Sequence, residues 1–184
     1  MDPSMVIIDD LLPQSQLATI QDTFTQNDFP WFRNNGINDR DDGHVQFIHI
    51  FYRNKTNNSN YMDIINPILE LVDPAAIVRI KANLLPRAHA ITRHGMHTDQ
   101  DFRCRVGIFY VNSNDGFTEF ADGTKIQSVA NRFVSFDSHL LHTGTTCTDA
   151  AERMVINFTY FAKEPHSVTG LTNTTDLNNS LIPR

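Results

Sequence analysis

AIVRIKANLL, residues 76–85, opens the part of the chain that decides the fold. It is rich in Val, Ile and Leu, and five further segments share the β texture: RCRVGIFYV (103–111), FTEF (117–120), KIQSV (125–129), NRFVSF (131–136) and RMVINFTYF (153–161). Turn residues separate them. Asp122-Gly123, between FTEF and KIQSV, is a hairpin signal, and so is the NSNDG turn (112–116) before FTEF. Short, closely spaced strands of this kind predict a small antiparallel double sheet, a jelly-roll or cupin-type barrel.

Working upstream, YMDIINPILELV (61–72) reads as a helix kinked or started near Pro67. VQFIHIFYR (45–53) reads as a strand whose His49 is a satisfied core histidine rather than a ligand. RNNGINDRDDG (33–43) is polar, has two Gly and reads as loop, and Phe29-Pro30-Trp31-Phe32 reads as an aromatic plug. In LLPQSQLATIQDTFTQ (11–26), Leu11, Leu12, Leu17, Ile20 and Phe24 approximate one face of a helix. The expected layout is therefore mainly β with flanking helices. A helical buttress spans about 1–75, a double-stranded β core about 76–162, and an irregular polar tail 163–184, all in a single domain.

Bulk properties exclude several classes. A net charge of −6 argues against broad binding to phosphate backbones, which needs a cationic surface. Two cysteines are too few for a disulfide framework. No apolar run reaches the length of a membrane span, and MDPSMVIIDD (1–10) lacks the basic-then-apolar order of a signal peptide. A cytoplasmic protein with no membrane partner is the expectation.

The chemistry starts in RHGMHTDQDF (93–102). His97 and Asp99 stand two positions apart, so in an extended segment both project to one face. That is two-thirds of the two-His, one-carboxylate set that holds non-haem Fe(II) on one face and leaves the other open. Alone the pair is not distinctive, because 8 His and 21 acidic residues produce such a spacing by chance. A second His is needed late in the chain, and His142 in HTG (142–144) fits, delivered by the strand NRFVSFD. Arg153 then opens a strand on which Val155, Asn157 and Thr159 share its face. An Arg aimed into a barrel calls for a fixed anion, and its planar fork suits one carboxylate of a bound dicarboxylate. A surface Arg paired with Glu152 or Asp149 is the plainer alternative for Arg153 by itself.

HTD (97–99), FYVN (109–112), GFTEF (116–120), NRFVSFDS (131–138), HTG (142–144) and Arg153, in this order, resemble the Fe(II)/2-oxoglutarate-dependent dioxygenases of the prolyl-4-hydroxylase-like group, most of all small phage-encoded members. The resemblance covers about the second half of the chain. It implies that His97, Asp99 and His142 ligate Fe(II), that Arg153 grips the distal carboxylate of 2-oxoglutarate, and that the Tyr110 hydroxyl assists. It also implies O2 as co-substrate and hydroxylation coupled to decarboxylation of 2-oxoglutarate to succinate. The chain departs from the pattern at Leu85, where relatives often carry a Tyr near the metal; Asn83 or Asn157 is the expected substitute. Relatives that hydroxylate proline usually carry Lys in place of Arg153, so proline is not carried over as substrate.

Other readings remain open at this point: a Zn(II) hydrolase on the same His-Asp-His set, and a non-enzymatic cupin-like binding module. A protein side chain or a small molecule is favoured over nucleic acid as the partner. Substrate identity resides in loops 33–43, 54–61 and 86–96, which carry no motif. His94 is expected to face the cleft or solvent, and His139 to sit in a loop. Arg79, Lys81, Arg87, Arg93, Arg103 and Arg105 form a locally cationic stretch, read first as solvated strand edges and second as a frame for an acidic substrate.

Overall fold

A computed structural model describes residues 5–37 and 45–163. The expected tail lies almost wholly outside these residues, as does most of the expected loop at 33–43. Eleven strands are present among the described residues: β1 (Val6–Ile8), β2 (Phe32–Asn35), β3 (Val45–Arg53), β4 (Thr56–Asn57), β5 (Ala76–Pro86), β6 (Arg105–Tyr110), β7 (Phe117–Phe120), β8 (Lys125–Gln127), β9 (Arg132–Asp137), β10 (His142–Gly144) and β11 (Glu152–Phe161). The helices are α1 (Gln14–Thr25), a short 3-10 turn at Met62–Ile64, and α2 (Asn66–Val72).

All strand pairs are antiparallel. The larger sheet runs β1-β9-β6-β11-β5-β3-β2, with β4 added to β3, and the smaller runs β10-β7-β8. Strand alternation gives the large sheet two different faces. On β11, Met154, Ile156, Phe158 and Tyr160 join Phe51, Ile80, Ala82 and Phe109 in one buried cluster, completed by Leu17, Ile20 and Phe24 of α1. The opposite face contributes Val106, Ile108, Tyr110, Val134, Phe136 and Val155, packed against Phe120 and Ile126 of the small sheet. The helices thus cover the outside, and the inside faces a second sheet in a jelly-roll arrangement. Arg153 and Asn157 fall on that inner face.

Local sequence explains most boundaries. Helix α1 starts after Pro13, which supplies a fixed φ without needing a backbone donor. Leu11 and Leu12 therefore precede the helix, held by Asn131, whose side chain accepts from Leu12 N and donates to Leu12 O. Pro67 occupies the first turn of α2, where its missing N–H costs nothing. Gly123 has φ +85°, as the tight β7–β8 turn requires. His49 is satisfied on the outer face, bonding Pro30 O at 3.0 Å and Ser59 Oγ at 2.7 Å. Phe29 and Trp31 pack on Phe24 at 4.9 and 5.2 Å between ring centroids.

Three features differ from the expectation. Arg33 to Asn35 are not loop but part of β2, paired with Val45–Phe47. Polar residues suffice there because β2 is a sheet edge and ladder bonds use only the backbone. Phe32 opens that strand 61% exposed and takes no part in the aromatic plug. Finally, the first 75 residues supply four strands as well as helices, including β1, which pairs with β9 at the opposite edge of the large sheet. No helix among the described residues is long and apolar enough to cross a membrane.

Candidate metal and co-substrate site

His97 and His142 meet through a backbone bridge. His97 N donates to His142 O and His142 N to His97 O, both at 3.0 Å, which sets the two imidazoles side by side with ring centroids 4.7 Å apart. Asp99, two residues on, projects to the same side as the extended spacing requires. One ligand atom from each of His97, Asp99 and His142 lies within 4.8 Å of the others, the one such group of His, Cys, Asp or Glu among the described residues.

The surroundings fix the donor atoms. Nδ1 of His97 faces Gly95 O at 3.2 Å and Nδ1 of His142 faces Leu140 O at 2.9 Å. Each carbonyl can only accept, so Nδ1 carries the proton and Nε2 keeps its lone pair for the cluster. Asp99 receives Arg79 at Oδ1 (2.9 Å) and lies 3.4 Å from His142 Nε2 through Oδ2. Burial pushes the Asp99 carboxyl up, but in the acid range where it titrates both imidazoles are protonated, and the bond and charge of His142 with the charges of Arg79 and His97 outweigh burial and hold the pKa at about 2. Burial lowers the His97 pKa, with His142 acting in the same direction. Neutral imidazoles beside an ionised carboxylate are the donor set a divalent transition metal needs, so the residues fit an Fe(II) ion.

The cluster opens into a cavity that is itself open to solvent. Arg153 lies at its wall, 3% exposed. Its Nε donates to Ser128 Oγ at 2.9 Å and a terminal nitrogen to Thr118 Oγ1 at 3.3 Å, and no carboxylate among the described residues pairs with it. Burial lowers its pKa. Gly116 makes room for it: a Cβ there would stand 2.8 Å from Arg153 Cδ and equally close to Thr146 O. Asn83 and Asn157 both line the cavity, and their buried Oδ1 atoms have no hydrogen-bond partner. An unpaired buried cation and two orphaned carboxamides are polar groups left for a ligand.

Of the other expected residues, Tyr110 is fully buried beside Arg153, with the guanidinium 5.7 Å from its ring, but it is not part of the cavity wall. Its hydroxyl donates to Thr118 Oγ1 at 2.8 Å, so Thr118, not Tyr110, faces the cavity. Leu85 lines the cavity next to Asn83. His94 is buried and faces the cavity, and His139 is an exposed loop residue. Sequence reading did not single out Thr118, Ser128 or the Arg79 contact to Asp99. Alternation in FTEF turns Thr118 inward with Phe120, a usable signal; nothing local marks the other two.

No protein-family model matches the chain, and no curated protein sequence does. Solved structures match its fold throughout. A prolyl hydroxylase from Trichoplax adhaerens, in complex with a hypoxia inducible factor oxygen degradation domain peptide fragment, has a TM-score of 0.65 at 14% identity over 87% of this chain and 84% of that one. A 2OG-Fe(II) oxygenase family protein from Burkholderia pseudomallei gives 0.64 at 14% identity, covering 87% and 86%. The epimerase SnoN, in complex with Fe3+, alpha ketoglutarate and nogalamycin RO, gives 0.62 at 8% identity, covering 98% and 89%. The chain therefore has the jelly-roll fold of the 2-oxoglutarate-Fe(II) oxygenases, prolyl hydroxylases among them.

Proposed function

We propose that this chain is an Fe(II)- and 2-oxoglutarate-dependent dioxygenase that hydroxylates a peptide side chain or a small molecule, its sheets and helices working as one domain. One observation carries the reading: a single cavity joins the His97, Asp99 and His142 donor set to a buried Arg153 that has no counter-ion among the described residues. The metal set asks for a divalent cation, and Arg153 asks for an anion a short distance away.

With metal, 2-oxoglutarate and O2 bound, oxidative decarboxylation to succinate supplies the oxidising power for substrate hydroxylation. The protein's own residues hold and orient. His97 and His142 present Nε2 because Gly95 O and Leu140 O occupy their Nδ1 positions. Arg79 keeps the Asp99 carboxylate turned toward the two imidazoles. Ser128 and Thr118 steer the Arg153 guanidinium toward the distal carboxylate of the co-substrate, with Tyr110 behind Thr118 as support. Asn83 or Asn157 offers a carboxamide to 2-oxoglutarate in place of the tyrosine that Leu85 replaces. Leu85, Ile108 and Val155 form an apolar part of the wall, which limits water around the reacting groups. A hydrolase reading has less support, because Asp99 is the one carboxylate lining the cavity among the described residues and leaves no general base. The net charge of −6 and neighbours in complex with a peptide fragment or with nogalamycin RO favour a peptide or small-molecule substrate over nucleic acid.

The test is anaerobic titration of the metal-free protein with Fe(II) and then 2-oxoglutarate, following the weak visible charge-transfer band of the chelate. A band that appears with wild type and requires far more 2-oxoglutarate in Arg153→Ala supports the assignment. Absence of Fe(II) binding, or binding without a band, rejects it.

A further inference from the structure

The cationic stretch of the sequence separates once its partners are known. Arg79 pairs with Asp99 (2.9 Å), Arg93 with Glu119 (2.5 Å) and Arg103 with Asp137 (2.9 Å), while Arg105 donates to Ser135 Oγ. Arg87 is exposed at the end of β5. Lys81 alone turns inward without a partner. It lines the cavity, and among the described residues nothing hydrogen-bonds or ion-pairs with its ammonium group; Asp99 acts on it only at longer range. Burial pulls its pKa down to about 8, Arg79 in the same direction. A poorly solvated ammonium is costly to maintain, and β5 could hold an aliphatic residue there, as it holds Leu85.

We infer that Lys81 is a substrate-binding residue and that the cavity accepts a substrate bearing a carboxylate, bound beside the metal and separately from 2-oxoglutarate. The inference rests on the dioxygenase reading above. Counting charges excludes the co-substrate as the partner. Among the described residues, two unpaired cations line the cavity, Arg153 and Lys81, and the one carboxylate, Asp99, is committed to Arg79. Both carboxylates of 2-oxoglutarate already have positive partners, Arg153 at one end and the metal at the other. Position agrees. Arg153 stands opposite Leu85 and Asn157 opposite Lys81 in the β11–β5 register. Four residues of strand are roughly 13 Å, against about 5 Å between the carboxyl carbons of an extended five-carbon diacid with bonds near 1.5 Å. A carboxylate suits the site better than a phosphate. One ammonium flanked by the neutral carboxamides of Asn83 and Asn157 balances one negative charge, and the nearest second cation, Arg79, is occupied.

The experiment uses the full chain under anaerobic conditions, with Mn(II) in the metal site and saturating 2-oxoglutarate. Acetate labelled with 13C at the carboxyl carbon serves as probe and acetamide as its neutral counterpart. Paramagnetic relaxation of the labelled carbon reads binding near the metal. Wild type and Lys81→Arg should give saturable enhancement with acetate and none with acetamide. Lys81→Gln should bind acetate at least tenfold more weakly while keeping its affinity for Mn(II) and 2-oxoglutarate. Equal effects of acetate and acetamide, an unchanged Lys81→Gln, or no acetate binding would overturn the inference and leave the dioxygenase reading standing. A tenfold loss of 2-oxoglutarate affinity in Lys81→Gln would also overturn it, by assigning Lys81 to the co-substrate. Failure of wild type to bind Mn(II) and 2-oxoglutarate would remove both.

Discussion

Replacing Arg153 with Met separates what the guanidinium does for the fold from what it does for the ligand. In the ligand-free protein the charge is buried with no carboxylate beside it among the described residues, held by Ser128 and Thr118. Hydrogen bonds to a charged group contribute about 1.5–3 kcal/mol each, and burying an unpaired ion costs several kcal/mol. Thr118 keeps its bond from Tyr110 after the substitution, so only Ser128 loses a donor. The two sides nearly cancel, and the ligand-free Arg153→Met protein should melt within a few degrees of wild type, a shift set by about 1 kcal/mol. Binding is different. Truncating one partner of a buried, hydrogen-bonded charge pair costs about 2–5 kcal/mol, and 1.4 kcal/mol is tenfold. The dissociation constant for 2-oxoglutarate should therefore rise roughly 30-fold to 4,000-fold. Calorimetric titration of 2-oxoglutarate into Mn(II)-loaded protein gives the constant, and thermal melts with and without ligand give the linked stabilisation. A loss of affinity below tenfold, or a ligand-free protein destabilised by more than about 3 kcal/mol, would refute the reasoning, since Arg153 would then be a structural residue.

Three further outcomes follow from the same geometry. His97→Ala and His142→Ala should each lose metal, with occupancy by elemental analysis falling to background at Fe(II) levels that saturate wild type, whereas Arg153→Ala keeps its metal; equal metal loss in all three would undo the separation of roles. Asp99 has a folded pKa of about 2, below the ordinary value near 3.9, so its contribution, on the order of 2 kcal/mol, is present above pH 4 and lost as pH falls toward 2. Metal-free wild type should lose more stability across that window than Asp99→Asn, as judged by melts at fixed salt, and parallel curves would contradict the depressed pKa. Gly116→Ala places a methyl group 2.8 Å from both Arg153 Cδ and the Thr146 carbonyl oxygen, which should cost about 1–3 kcal/mol and displace Arg153. It should weaken 2-oxoglutarate binding without loss of Mn(II), and unaltered binding would show that Arg153 tolerates the shift.

Much of the architecture was legible from alternation alone. β5, β6, β7, β8, β9 and β11 fall on the segments read as strands, because half-buried strands need a periodic apolar face and the sequence carries it. β2 was not legible: its residues are polar, and an edge strand is held by backbone bonds that any side chain permits. β1 failed for a related reason, since three residues carry too little pattern to separate a strand from the approach to α1.

The site divides along the same line. Spacing in HTD and the position of HTG after a strand singled out His97, Asp99 and His142, which the fold brings within 4.8 Å of one another, because side-chain direction along extended backbone depends on local geometry. The face of Arg153 on β11 was likewise local, and it lines the cavity as expected. Only the tertiary structure decided which polar groups meet. Arg79 reaches Asp99 across 20 positions, Arg93 reaches Glu119 across 26 and Ser128 reaches Arg153 across 25. Tyr110 gives up the cavity wall to Thr118 for the same reason, a bond set by packing between two sheets. Charge and hydrogen-bond pairing depend on distances of a few ångströms between remote segments, which composition and periodicity do not encode. A list of cations in sequence is therefore only a list. The fold neutralises Arg79, Arg93 and Arg103, and leaves Arg153 and Lys81 facing the cavity with no carboxylate paired to them among the described residues.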